Sequence, residues 1–268
     1  QVFFGSTDHV LTDYLPADFT QDTRQYAAGY VHVEAGWNNS SAMGPVDETT
    51  WLERLDPPGL LAIVGRADLS LGESVGPVLA AHRAASKRLR YIRQTLSHHP
   101  SANVLNGCDR ERLSEDRSWR AGYAQLAEHG LGFESTIYDH QIDEVTALAR
   151  DFPQIPIVLS HAGTPVALGG LFGDQGASVE QRQRTHRTWK VAMQRLAECP
   201  NVCAKISGLA MPVVGWGWHK RDTPPSAEEV AEALRPLVDH IIDSFGADRC
   251  MFGSNFPVEK VSLPWMTL

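Results

Sequence analysis

The sequence predicts an α/β protein folded as a (β/α)8 TIM-type barrel, with seven of the eight strands visible in its 268 residues. Short apolar runs alternate strictly with segments of helical period, the pattern that a parallel sheet with crossover helices imposes. Seven such units in this length suit a barrel, which typically takes about 250 residues, better than an open doubly wound sheet. No Gly-rich phosphate loop follows the first strand, so the usual mark of the doubly wound alternative is missing.

The strands are predicted over residues 29–36 (GYVHVEAG), 60–69, 88–96, 131–139, 155–163, 201–209 and 249–255 (RCMFGSN). Helices are predicted over 72–86, 116–130, 142–153, 187–200 and 226–246. In the 116–130 segment Trp119, Tyr123, Leu126 and Ala127 share one face, and Gly130 is a helix-stop residue. Pro153 closes the 142–153 helix, and Ser226 with Glu229 three residues on forms a capping box for the last one. The loop between the last two strands, AMPVVGWGWHKRDTPPS (210–226), is too long and too aromatic for a plain connector. It reads as a wall or lid of an active site, with packing as the alternative.

Hydrophobic residues make up 43% of the chain and charged ones 21%, the balance of a globular protein rather than a disordered one. The formal charge of −8 argues against a nucleic-acid partner, since phosphate binding needs a basic face. No apolar run has membrane-spanning length, and the start does not resemble a signal peptide. The four cysteines, Cys108, Cys199, Cys203 and Cys250, show neither zinc-knuckle nor disulfide-frame spacing, so reduced thiols in a cytoplasmic protein are expected. The chain starts on Gln1 and ends on VSLPWMTL without a closing helix, which predicts a single domain over 1–268 truncated at both ends.

In such a barrel the active site lies at the C-terminal ends of the strands. Those ends offer His32 and Glu34, Arg93, Glu134 and Tyr138, His161, Lys205 and Ser207, then Ser254 and Asn255. Glu34, Glu134 and Ser207 can equally serve only to satisfy neighbours inside a packed barrel. His32 sits mid-strand and reads as structural, and His98 and His99 read as solvated loop residues. His161 is different: it follows an apolar strand and precedes a small Ala-Gly turn, which suits a general base or metal ligand at the rim. Arg93 and Lys205 form a local cationic site suited to a carboxylate-bearing substrate, unless Glu34 or Glu134 pairs with them.

Four segments, IVLSHAGTP (157–165), NVCAKISGL (201–209), GWGWHKRDTPPS (215–226) and DRCMFGSNFPVEK (248–260), together resemble the amidohydrolase-related family of TIM-barrel metal hydrolases. The similar branch contains sugar lactonases and 2-pyrone-4,6-dicarboxylate lactonase. The resemblance implies a hydrolase of small carbonyl compounds, with lactones leading. It places His161 on the sixth barrel strand and Asn255 on the eighth, makes 29–36 the second strand, and leaves the first absent. Two departures matter. The family's His-x-His pair occurs nowhere in this chain, and Asn255 stands where aspartate is common. Asparagine can orient a water or carbonyl but cannot take a proton as a carboxylate does.

The expected site is therefore His161, Asn255 and Tyr138 as catalytic residues, with Arg93, Lys205, His219, Trp218 and Glu34 binding substrate. Tyr138 and His219 are the groups expected to protonate the leaving oxygen. His161 is the candidate ligand for a divalent metal, zinc by the resemblance. The expected partner is a small-molecule substrate, with homo-oligomerisation left open. The competing functions are a nonhydrolytic decarboxylase on the same barrel and a binding homologue that has lost its base.

Overall fold

The computed structural model describes residues 10–24 and 26–268. Helix α1 (Pro16–Thr23) leads into β1 (Tyr30–Val33), followed by α2 (Pro45–Leu55), β2 (Leu60–Arg66), α3 (Gly76–Ala85) and β3 (Leu89–Thr95). The chain continues through α4 (Arg117–Glu128), β4 (Gly132–Thr136), α5 (Ile142–Asp151), β5 (Ile157–Leu159), α6 (Val179–Ala197) and β6 (Val202–Ile206). It then reaches α7 (Ala227–Phe245) and β7 (Cys250–Phe252). The seven strands form one sheet in sequence order, with every neighbouring pair parallel. The sheet curls into a half-barrel whose edges are β1 and β7.

All seven predicted strands are present, and most of them end earlier than the apolar runs suggest. The clearest case is β5. Residues 160–163 leave the ladder in a tight turn with His161 at φ 54° and Ala162 at φ 51°. Such backbone cannot continue a strand.

The core lies between the sheet and the helices. Trp119 and Tyr123 on α4 are fully buried and stack at 5.2 Å, and both meet Phe133 of β4 edge-on. Truncating either ring to alanine costs about 3–5 kcal/mol. Ala127, predicted on this buried face, is exposed, and Gly122 takes the inner position instead. A Cβ on Gly122 would lie 2.1 Å from the Leu69 carbonyl oxygen, so the helix approaches that backbone more closely than any side chain allows.

Helices α1 and α2 were not expected, because both are mostly polar. In α2 only Pro45, Glu48, Thr49 and Leu52 face inward. Helix α6 begins eight residues before its predicted start, at a Ser178–Gln181 capping box. Its first two turns carry one apolar residue, the exposed Val179, so no apolar period announces them. The two ends of the described chain meet: Lys260 pairs with Asp22 of α1 at 2.8 Å, and Trp265 packs against Phe19, Phe252 and Phe256.

Candidate active site

The strand ends carry a layer of charge. Register places Arg66 of β2 beside Arg93 of β3, and Arg93 beside Glu134 of β4, so the three side chains share a face. The Arg93 Nε–H donates to Glu34 Oε1 at 2.7 Å, and Nη2 donates to the Glu34 carbonyl at 2.6 Å. Arg66 stands 4.0 Å from the other Glu34 oxygen. Lys205 of β6 donates to Glu134 Oε2 at 2.7 Å, and Ser160 Oγ donates to Glu134 Oε1 at 2.7 Å. Glu34 and Glu134 are almost fully buried.

The pairing left open from the sequence is present: Arg93 and Lys205 are each paired with a buried carboxylate. The reason is desolvation, since neither charge is held inside a barrel without a partner. Burial pushes the Glu134 pKa up, but Lys205, Arg93 and the Ser160 hydroxyl outweigh it and hold Glu134 below the usual carboxylate range. Lys205 makes no second hydrogen bond among the described residues, so its other N–H donors remain for a ligand.

His161 joins this layer from the turn after β5. Its Nδ1 is bonded to Ser207 Oγ at 2.9 Å, and Nε2 has no hydrogen-bond partner among the described residues. Burial, then the Lys205 and Arg93 charges, push its pKa down to about 3, against the opposing pull of Glu134. The ring is therefore neutral at pH 7, and a weaker base in the free protein than an ordinary histidine. Gly208 packs on it so closely that an added Cβ would sit 2.6 Å from His161 Cβ, Cγ and Nδ1.

Asn255 follows β7 with φ 53°, nearly the value at His161. Eight non-glycine residues of the described chain have positive φ, several of them at helix ends; asparagine tolerates this region, so the strain is the greater at His161. Asparagine suits this place for a second reason. Its amide lies beside the fully buried carboxylate of Glu259, whose pKa it pulls down, although Nδ2 itself stops short of hydrogen-bond geometry. An aspartate here would set two carboxylates together in a dry site.

Other predicted members stand apart. The Tyr138 hydroxyl is buried and donates to the Leu105 carbonyl, and its ring packs with Val104, Val166 and Phe172 in a separate apolar cluster. Burial raises its pKa further, so in this arrangement it is committed to the backbone rather than presented to a leaving group. Trp218 is 3% exposed, stacks on Trp216 at 5.4 Å and packs with Val230 and Leu263. The aromatic loop is packed, therefore, because two indoles bury more area against the core than they would over an open mouth. His219 is half-buried, its Nδ1 has no hydrogen-bond partner among the described residues, and burial lowers its pKa. His32 pairs with Glu48 of α2 at 2.8 Å, as its mid-strand place suggested. His99 is not simply solvated: its ring lies against Tyr138 and His140.

A zinc site takes three protein ligands and an open position. Among the described residues no group of three His, Cys, Asp or Glu is placed to hold a metal ion. His161 Nε2 could supply one ligand, but Lys205 and Arg93 face the ring and Glu134 is already held by Lys205 and Ser160. The described residues do not fit a complete zinc site. Nor is any helix among them long and apolar enough to cross a membrane.

Comparison with known proteins agrees with the fold. An uncharacterized protein y4mH of Sinorhizobium fredii is 35% identical over 263 residues, 96% of this chain and 77% of that protein. An L-fucono-1,5-lactonase of Burkholderia ambifaria is 28% identical over 201 residues, 75% of this chain and 57% of the lactonase. The matched region thus spans less than two thirds of that enzyme's length. An amidohydrolase of Burkholderia multivorans, crystallised with bound zinc, superposes with a TM-score of 0.71 at 25% identity, over 98% of this chain and 81% of that one. Residues 72–264, from before α3 to beyond Asn255, match the family model described as amidohydrolase. The chain belongs to the amidohydrolase family.

Proposed function

We propose that this amidohydrolase-family protein hydrolyses lactones, with sugar-derived or carboxylate-bearing lactones as the substrate class. The observation that carries the reading is the neutral His161, tied through Nδ1 to Ser207 with Nε2 unbonded, beside the Lys205 and Arg93 charges. A water bonded to Nε2 attacks the lactone carbonyl. The oxyanion that forms is stabilised by the spare donors of Lys205 and by the Arg93 charge. Those same cations depress the His161 pKa in the free protein. A developing oxyanion offsets them, so the ring becomes a better base as the carbon–oxygen bond forms. The imidazolium then returns its proton to the ring oxygen as it leaves, yielding the hydroxy acid. The similarity to a sugar lactonase supports this substrate class. So does the paired Arg93–Glu34 and Lys205–Glu134 layer, which can meet both hydroxyls and a carboxylate.

The test is acid release in a pH-stat from a panel of neutral and acidic lactones, comparing the wild type with His161→Ala. Loss of about 10²–10⁴ in kcat with an unchanged circular dichroism spectrum is expected. Carbon dioxide release instead of simple ring opening would replace this reading with a decarboxylase. No turnover of any lactone would leave a binding protein.

A further inference from the structure

We propose that Glu259 is a positioning residue whose carboxylate clamps the backbone at Gly208 and Ala210 and thereby sets the seat of His161 and Asn255. Glu259 lies in the short turn Val258–Val261 after β7 and is fully buried. One carboxylate oxygen accepts from the Gly208 N–H at 3.0 Å and the other from the Ala210 N–H at 2.6 Å. Both donors belong to the exit of β6, on the other side of the strand pair. The Glu259 backbone N–H donates to the Asn255 carbonyl at 3.1 Å, so the same residue also ties the exit of β7.

The link to His161 is steric. The bare Cα of Gly208, at φ 69°, rests against the imidazole, with no room for even one added carbon. Ser207, immediately before it, holds Nδ1. If Gly208 shifts by a few tenths of an ångström, both the packing face and the hydrogen bond that orient the ring shift with it. Among the described residues no lysine, arginine or histidine pairs with the carboxylate. There the two N–H groups and the Asn255 amide oppose the cost of burial, and burial still pushes the Glu259 pKa up to about 7. Its sequence neighbour Lys260 turns away to Asp22. A bare buried carboxylate is costly to keep for packing alone, and two backbone donors aimed at it give it a directional task.

The test compares wild type and Glu259→Gln by NMR at pH 8, following the ¹⁵N shifts of the His161 ring and the amides of Gly208 and Ala210. The glutamine NH₂ would face one of two N–H donors, so one arm of the clamp opens while the shape is kept. The expected result is a displaced His161 ring signal and faster exchange at residues 208 and 210, with core amides of α4 and α5 unchanged. In lactone assays, which rest on the hydrolase reading, kcat should fall about tenfold with KM nearly constant.

A lowered melting temperature with the His161 ring signal unmoved would overturn the proposal and leave Glu259 a packing residue. Should the variant not fold, the wild type still decides. Between pH 5 and 9 the Gly208 and Ala210 amides and the His161 ring should shift with one common midpoint as Glu259 ionises. A ring that ignores that midpoint overturns the positioning role. A wild type without lactonase activity would sink the hydrolase reading, while the ring and amide signals would still test this one.

Discussion

Replacing Lys205 by methionine removes the partner of a carboxylate that is 2% exposed. At 2.7 Å the Lys205–Glu134 pair has a gross attraction of about 6 kcal/mol at an effective dielectric of about 20. Breaking one side of such a buried pair typically costs about 3–5 kcal/mol, because the remaining charge is left without compensation. Ser160 and the Arg93 charge remain near Glu134 and keep the expected loss toward the lower end. For a domain of this size the loss is a fall in Tm of roughly 6–20 °C.

The pH dependence carries the sign. Glu134 is held below its unfolded pKa, so its contribution is present above the ordinary carboxylate range and disappears as pH falls through the depressed value. The wild type should therefore exceed Lys205→Met most at pH 7, and the gap should close in acid. Urea melts followed by tryptophan fluorescence measure this without adding salt. The double variant Lys205→Met, Glu134→Gln should recover part of the loss, since it no longer buries a lone charge. A gap under about 1 kcal/mol at pH 7 would refute the reasoning, as would a gap that persists in acid or a double variant no better than the single one.

Three further perturbations address the same mouth. Arg93→Met leaves Glu34, among the described residues, with Arg66 alone at 4.0 Å. It should cost about 3 kcal/mol and raise KM for carboxylate-bearing lactones more than for neutral ones; equal losses on both would remove charge recognition from its role. Gly208→Ala forces a Cβ to 2.6 Å from the His161 ring at φ 69°. Overpacking and left-handed backbone together should cost about 2–4 kcal/mol in a thermal melt. Asn255→Asp places a second carboxylate beside Glu259, whose folded pKa is already raised to about 7. Both acids then lose stability as pH rises through their folded values, so the variant should be about 1–3 kcal/mol worse at pH 8 and closer to wild type at pH 5.5 in urea melts.

The order and direction of the seven strands were legible because each writes itself as a short apolar run between helical segments, even β1 and β7, which are partly exposed at the edges of the sheet. The 226–246 helix was legible through its cap and period, and the strand-exit places of His161 and Asn255 through the abrupt polar step at the end of such runs. What escaped was whatever depends on partners distant in sequence. Helix α2 is stabilised by the few residues it lays on the sheet, so its polar sequence carries little period. Glu259 reads as one more surface acid in FPVEK until the fold lays it under residues 208 and 210, some fifty positions away. Tyr138 and Trp218 have the chemistry of site residues, and only packing shows that the hydroxyl of one and the indole of the other are already engaged.

By itself, then, the sequence determined the architecture and the family, because both rest on local apolar patterning and short motifs that survive without knowledge of contacts. Tertiary structure alone decided the electrostatics of the mouth. Arg93 with Glu34 and Lys205 with Glu134 are separated by 59 and 71 residues. Whether those charges lie open for substrate or are spent on each other depends on desolvation inside the curled sheet, a cost that no linear pattern of residues records.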